Sequence, residues 1–276
     1  MKRAIAGAAL AATLAVAAAT TRPLWLAPDA AQAQAWLHDA ADRRDASAEA
    51  ALARWSDRGN VAARHAYATL LGHRNDAESQ RTLERVLADG ADAGDADDAT
   101  RLAELLSRAG VGAGAGAGAD AHAGADAQAG AGASAGAGPG AAADASRDAR
   151  VARLLAQGSA GHVPAAARLL ALRALDASHG APDPARAATL MGQAADGGDV
   201  PAMFLYANML RAGQGVPRDD ARALALYERA GDADYAPAIQ ALAIAWRYGE
   251  LGLQADASQS KLMDHEAAEA LAHATR

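Results

Sequence analysis

The sequence predicts an all-α solenoid built from pairs of helices, and three observations carry that expectation. The stretch Gly198 to Ala238 reads as two amphipathic helices joined by a glycine turn. Register supplies the second: Pro164, Pro201 and Pro237 open successive units at spacings of 37 and 36 residues, each where a first-turn proline forfeits no needed N–H. The third is composition. Hydrophobic residues make up 51% of the chain but aromatics only 4%, so the core is expected to be a thin Ala/Leu seam. One such pair buries too little to fold alone and requires neighbours.

In the reference unit Ala202, Tyr206, Ala207 and Leu210 fall at helical spacing and define a first helix entered through Pro201. Gly213-Gln214-Gly215-Val216 then provides two residues free to take positive φ. Asp219 or Asp220 is placed to cap a second helix whose stripe is Ala223, Leu226, Tyr227 and Ala230.

Taken in order, the chain opens with Met1-Lys2-Arg3 and the uncharged run Ala4 to Ala19, a basic region and apolar core of export-signal length. Small-x-small sites at Ala17-Ala18-Ala19 and Ala31-Gln32-Ala33 place cleavage near 19 or 33, so 1–33 is assigned as the signal. If it is not cleaved, the segment serves as a weak membrane anchor. Residues 34–110 are expected to form an N-terminal cap carrying Ala48, Leu52 and Trp55, followed by degenerate repeats. The first starts at Gly59, with Ala63, Tyr67, Ala68 and Leu71 and then Leu83, Val86 and Leu87. The second starts at Gly94, with Leu102, Ala103 and Leu106, and its first helix is expected to end at Arg108-Ala109-Gly110.

From 111 to 145 the chain is an Ala/Gly tract with alanine at every odd position from 113 to 137. Such a segment has too little to bury and is expected to be a disordered loop. Leu154 and Leu155 beyond it resemble a missing second helix, so the tract is placed as the expanded turn of one pair. Residues 146–276 hold the clearer repeats, starting at Gly161, Gly198 and Asp234, and a polar closing helix from about Asp256 to Ala274. Asp183 and Pro184 form a cap with proline at the first helical position, ahead of Leu190, Met191, Ala194 and Ala195.

Charge and chemistry exclude several functions. Net charge is −7, or −9 once Lys2 and Arg3 leave with the signal, and no basic stripe stands out, so nucleic acid is not an expected partner. Cysteine is absent, which removes disulfides, thiolate nucleophiles and N-terminal lipidation. Gly132-Ala133-Ser134-Ala135-Gly136 spells a nucleophile elbow but lacks the strand and helix that hold one. His265, Glu269 and His273 share one helix face without a fourth ligand, and read as a solvated face. Asp120, His122 and Asp126 lie in the tract, where an ion would bear the full ordering entropy. Tyr206, Tyr227, Trp246 and Tyr248 read as packing residues. No catalytic, cofactor-binding or metal site is assigned.

The quoted residues resemble the Sel-one-like repeat family, relatives of tetratricopeptide repeats. Ala202, Gly213, Gly215, Val216, Asp219, Arg222, Ala223, Tyr227, Arg229, Ala230 and Ala238 fall on its pattern, as do Asp183, Arg186, Ala187, Ala194, Ala195 and Gly198. Tyr206-Ala207 replaces the family's Leu-Gly, and Leu226 its tryptophan. The resemblance implies a right-handed α/α solenoid and a non-catalytic adaptor that binds protein partners, in an envelope or secretion assembly of the periplasm or exterior. It also implies a groove lined by first-helix positions: His65, Thr69, Thr100, Glu104, Phe204, Asn208, Arg211, Gln240 and Arg247. Phe204, Asn208, Arg211, Gln240 and Arg247 are the candidate partner-binding set. Competing expectations are a secreted hydrolase or β-lactam-binding repeat protein, against which the lack of cysteine counts, and a membrane-anchored regulator.

Overall fold

The structure, a computed structural model, describes residues 24, 26–74, 76–115 and 139–274. Among the described residues there are twelve α-helices, one short 3-10 turn and no strand. The chain divides into two compact units, Met1–Ala119 and Asp120–Arg276. The division falls inside the Ala/Gly tract, so the helices flanking it, expected as two arms of one pair, belong to different units. Residues 1–23, the greater part of the segment expected to be an export signal, lie outside the described residues.

The first unit contains α1 (Ala30–Asp42), α2 (Ala46–Asp57), α3 (Val61–Gly72), α4 (Ala77–Asp92) and α5 (Ala96–Ala115). Each packs on the next, and α1 also packs on α3. Asp29, Asp45, Asn60, Asp76 and Asp95 stand immediately before these five helices, and each accepts a hydrogen bond from a backbone N–H of the first turn. Trp36, Ala40, Ala48, Leu52, Ala63 and Leu70 form the core at the amino end. The incoming chain is tied down as well: Trp55 Nε1 donates to the Leu24 carbonyl at 3.1 Å and Asn60 Nδ2 to the Pro28 carbonyl at 3.1 Å. Gln32 and Ala33, at the second expected cleavage site, lie inside α1 and are each 1% exposed.

The second unit contains α6 (Pro139–Ala160), α7 (Pro164–Leu175), the 3-10 turn Ala177–His179, α8 (Pro184–Asp196), α9 (Val200–Ala212), α10 (Asp220–Gly231), α11 (Ala236–Tyr248) and α12 (Ala257–Ala274). Its helices also pack in chain order. The reference pair is α9 and α10, and Ala202, Tyr206, Ala207, Leu210, Ala223, Leu226, Tyr227 and Ala230 are all buried as the periodicity predicts. Asp219 accepts from the Arg222 N–H at 2.9 Å, which settles the choice of cap. Gly213 ends α9 in the left-handed region at φ 68°. Gly215, at φ 71°, packs against the start of α8, where an added Cβ would come within 2.8 Å of the Ala185 nitrogen.

Two boundaries differ from the sequence expectation. The first helix of repeat two does not stop near Gly110: α5 continues to Ala115, and α6 begins at Pro139, so both ends of the tract are helical. Alanine has the highest helix propensity, and extending an existing helix avoids the cost of nucleating one. Residues 116–138, which include the Gly132–Gly136 motif and Asp120, His122 and Asp126, lie outside the described residues.

One device recurs at a spacing of 31 residues. Arg64 of α3 donates through its terminal nitrogen to Asp95, the cap of α5, at 2.9 Å. Arg168 of α7 donates through Nε to Asp199, the cap of α9, at 3.0 Å. In α9 the position equivalent to Arg168 is Phe204, whose ring meets that of Tyr235, the residue before α11, edge-on at 5.7 Å. A side chain of one first helix thus reaches the start of the next.

Arg64 also donates through Nε to the buried Asp98, and this pair occupies the space above Gly90 of α4. A Cβ on Gly90 would come within 2.6 Å of Asp98 Cγ and 2.7 Å of Arg64 Nε, which explains a glycine inside a helix. Gly90→Ala is expected to cost about 2–4 kcal/mol by overpacking and by prying apart a buried ion pair. Gly72→Ala, at a helix end with nothing within 4 Å of the new methyl, is expected to be neutral or stabilising by up to about 1 kcal/mol. Urea denaturation of the two variants measures the difference.

Candidate protein-interaction surface

Helices α9 and α11 run side by side in the same direction, because they are joined near both ends. Phe204, early in α9, meets Tyr235 at the start of α11, while Arg211, late in α9, pairs with Glu250 just past the end of α11 at 3.3 Å. The buried sides are fixed by packing. Ala238, Leu242 and Ala245 of α11 join the core with α9 and α10, and Ala236 and Ile239 pack on Ala267 and Ala270 of α12. What remains exposed on α11 is a stripe at i, i+4 and i+8: Gln240, Ile244 and Tyr248, with Arg247 beside it. Tyr248 is 68% exposed and Ile244 43%.

The polar groups around this face are mostly bonded within the unit. Tyr227 OH donates to Asn208 Oδ1 at 2.6 Å, and burial pushes the Tyr227 phenol above its ordinary pKa, keeping it a donor. Arg247 donates to Asp264 at 2.6 Å and to Ser260 Oγ at 3.2 Å, which lays its guanidinium along α12. Beyond Arg211 lies an open polar recess of about 510 Å³ lined by Arg211, Arg218, Asp220 and Glu250.

With this geometry in place, solved structures give the fold. The chain is similar to the crystal structure of a Sel1 repeat protein from Oxalobacter formigenes, with a TM-score of 0.57 and 16% identity, over 80% of this chain and 75% of that one. The fold is that of Sel1-like repeats. A second similar structure is c5321, described as a protective antigen present in uropathogenic Escherichia coli strains displaying an SLR fold, with a TM-score of 0.59 and 15% identity. That match covers 86% of this chain and 46% of the antigen, so the chain spans just under half the antigen's length. No family model and no curated protein matches the sequence.

Within the Sel1-like fold the candidate residues separate into three groups. Phe204 is half-buried between Tyr227 and Tyr235, with ring centroids 5.9 and 5.7 Å away, and stands where Arg168 stands in the preceding pair. Asn208 is half-buried and holds Tyr227. Arg211, Gln240 and Arg247 are exposed. Of the groove positions projected onto the first unit, Thr100 is buried, with its hydroxyl donating to the Ala96 carbonyl, and so faces away from solvent. Thr69 donates to the His65 carbonyl, and His65, Thr69 and Glu104 are half-buried.

Sequence reasoning missed Ile244 and placed Tyr248 among the packing residues. The signal was present: Gln240, Ile244 and Tyr248 recur every four residues on the side opposite Leu242 and Ala245. Two aromatic-containing stripes compete on this helix, and only Trp246 of the pair Trp246 and Tyr248 is half-buried. Phe204→Ala is therefore expected to cost about 2–3 kcal/mol of folding stability through lost packing and ring contacts. Ile244→Ala and Tyr248→Ala should stay within about 0.5 kcal/mol of the parent. Chemical denaturation of the three variants distinguishes a packed position from an exposed one.

Proposed function

We propose that the chain is a non-catalytic adaptor which binds a protein partner through the exposed face of α11, with Arg211 alongside. The observation that carries this reading is the stripe Gln240, Ile244, Arg247 and Tyr248, an aromatic and an aliphatic side chain left in solvent beside an arginine already held in place by α12. Tyrosine and arginine are the residue types that contribute most per contact at protein interfaces, and a fixed guanidinium has less ordering entropy left to lose. Helix pairs that stack in one dimension suit such binding, since each adds surface without disturbing the next.

In the same proposal the protein works outside the cytoplasm, in the periplasm or beyond, as part of an envelope or secretion assembly. Lys2, Arg3 and the run Ala4 to Ala19 support export. Of the two cleavage sites, the earlier fits the folded chain better. A break after Ala33 would remove Asp29, which caps α1 by accepting from Gln32 N at 2.8 Å, and the Leu24 and Pro28 carbonyls that hold Trp55 and Asn60. N-terminal sequencing of the protein recovered from a bacterial envelope fraction is expected to begin at Thr20. A start at Gln34, or an intact Met1, overturns this part of the proposal.

Partner binding has its own test. Capture from envelope extract with the double variant Arg247→Ala/Tyr248→Ala should fall at least tenfold, with helicity and melting temperature unchanged. Capture equal to the parent moves the site off α11. Turnover of a β-lactam or another ester or amide in a hydrolysis screen by the parent protein would replace the adaptor reading with an enzymatic one.

A further inference from the structure

The first unit holds a polar cluster that the adaptor reading leaves unexplained. Arg64 and His65 come from α3, and Asp95 and Asp98 from the start of α5. Asp95 Oδ1 accepts the N–H groups of Asp97 and Asp98 at 3.1 and 3.2 Å, while its Oδ2 accepts from Arg64 at 2.9 Å. Asp98 Oδ2 accepts from Arg64 Nε. The fourth carboxylate oxygen, Asp98 Oδ1, has no hydrogen-bond partner although the residue is 0% exposed. Its polar neighbour is His65 Nε2 at 3.5 Å, and the same nitrogen lies 3.1 Å from Asp95 Oδ2.

Two features make this more than a buried ion pair. One arginine faces two carboxylates, which leaves a residual negative charge where solvent is scarce and an orphaned acceptor is costly. The spacing also suits a coordination polyhedron, since one ligand atom from each of the three residues lies within 4.8 Å of the others. Zinc bonds of 2.0–2.1 Å in a tetrahedron put ligand atoms about 3.3 Å apart, between the two distances measured from His65 Nε2. His65 is 34% exposed, so the fourth position opens to solvent.

We propose that His65 Nε2, Asp95 Oδ2 and Asp98 Oδ1 bind a divalent transition metal of the zinc type. One imidazole nitrogen and two carboxylate oxygens suit zinc and its first-row neighbours, whereas calcium takes six to eight oxygens and magnesium a near-regular octahedron. Arg64 positions both carboxylates, holding Asp98 through Oδ2, the oxygen not aimed at the metal, and sharing Asp95 Oδ2 with it, an outer-layer role that orients ligands in such sites. Two carboxylates, one arginine and the metal sum to a single positive charge, which an anionic fourth ligand from solvent balances. The ion would tie α3 to α5 and so stiffen the first unit.

The test uses the full chain, stripped with a chelator and titrated with zinc chloride, with magnesium and calcium chloride in parallel. The expected result is one zinc per chain and a melting temperature raised by roughly 5–10 °C at a hundredfold excess over Kd. Cobalt in place of zinc should give the visible absorption of a four-coordinate nitrogen–oxygen site. Asp98→Asn removes a partner of buried Arg64 and threatens the fold, so His65→Gln, at a half-exposed position, is the diagnostic variant. It should weaken zinc binding 10- to 100-fold and abolish the cobalt band while leaving metal-free melting unchanged. His265→Ala/His273→Ala should bind as the parent does. No zinc uptake by the parent, equal binding by His65→Gln, loss of binding in the α12 variant, or an equal response to magnesium would each overturn the proposal.

Discussion

The start of a helix leaves backbone N–H groups without partners, and at α5 and α9 the residue that answers that need also receives a side chain from the preceding pair. Asp199 accepts the Ala202 N–H at 2.8 Å with the same carboxylate that Arg168 reaches from α7. Asp95 does the same for α5 and Arg64. A single carboxylate closes one helix and moors it to another, so local and long-range order are set together. Where the cap cannot accept, as at Tyr235, Pro237 fixes the entry of the helix and a ring contact with Phe204 takes over the mooring. The aromatic pair is less directional than an arginine–carboxylate bond, but it excludes water from the same place.

These moorings matter because the core is thin. Ala171, Ala187, Ala194, Ala195, Ala202, Ala207, Ala223, Ala230 and Ala238 are each 1% exposed or less, yet each removes only a methyl group from water. What alanine supplies is proximity, since small side chains bring helix axes toward the short end of the usual 8–10 Å range. Close backbones give many weak dispersion contacts and little tolerance for added volume. Gly192, whose added Cβ would lie 3.2 Å from the Tyr206 ring, follows the same logic between α8 and α9.

Much of this was legible in the sequence. Proline register, the turn glycines and the Ala/Leu stripes located the starts of α7 to α12 within a residue or two, because capping and periodicity are local properties. The polar cluster was not legible: Arg64 and Asp98 are 34 residues apart, and neither lies on the apolar stripe by which helices were recognised. The extent of α5 and α6 was misjudged because an alternating Ala/Gly text has no amphipathic face, while helix extension needs none. Phe204 was placed among the partner-binding candidates by the groove register that the resemblance implies and by its residue type, with packing on the adjacent first helix as the equal alternative. The comparison with Arg168 reveals that its position is used for internal joining in the preceding pair as well. Tyr248 erred in the opposite sense, since an aromatic near the end of an apolar helix looks like core until the packing of α12 is known.

The 31-residue link also means that the repeats are not interchangeable parts. Each pair sends one kind of side chain forward and presents one kind of cap backward, so a join works only when the two are chemically matched. The pair beginning at α7 sends arginine and demands an acidic cap, whereas the pair beginning at α9 sends a phenyl ring and demands an aromatic one. Duplicating or deleting a unit across an unlike boundary would set a guanidinium against a phenol, or a ring against a carboxylate. Order along the array is therefore written into the joints themselves, and an array of this kind can lengthen by copying only at places where neighbouring joints already speak the same chemistry.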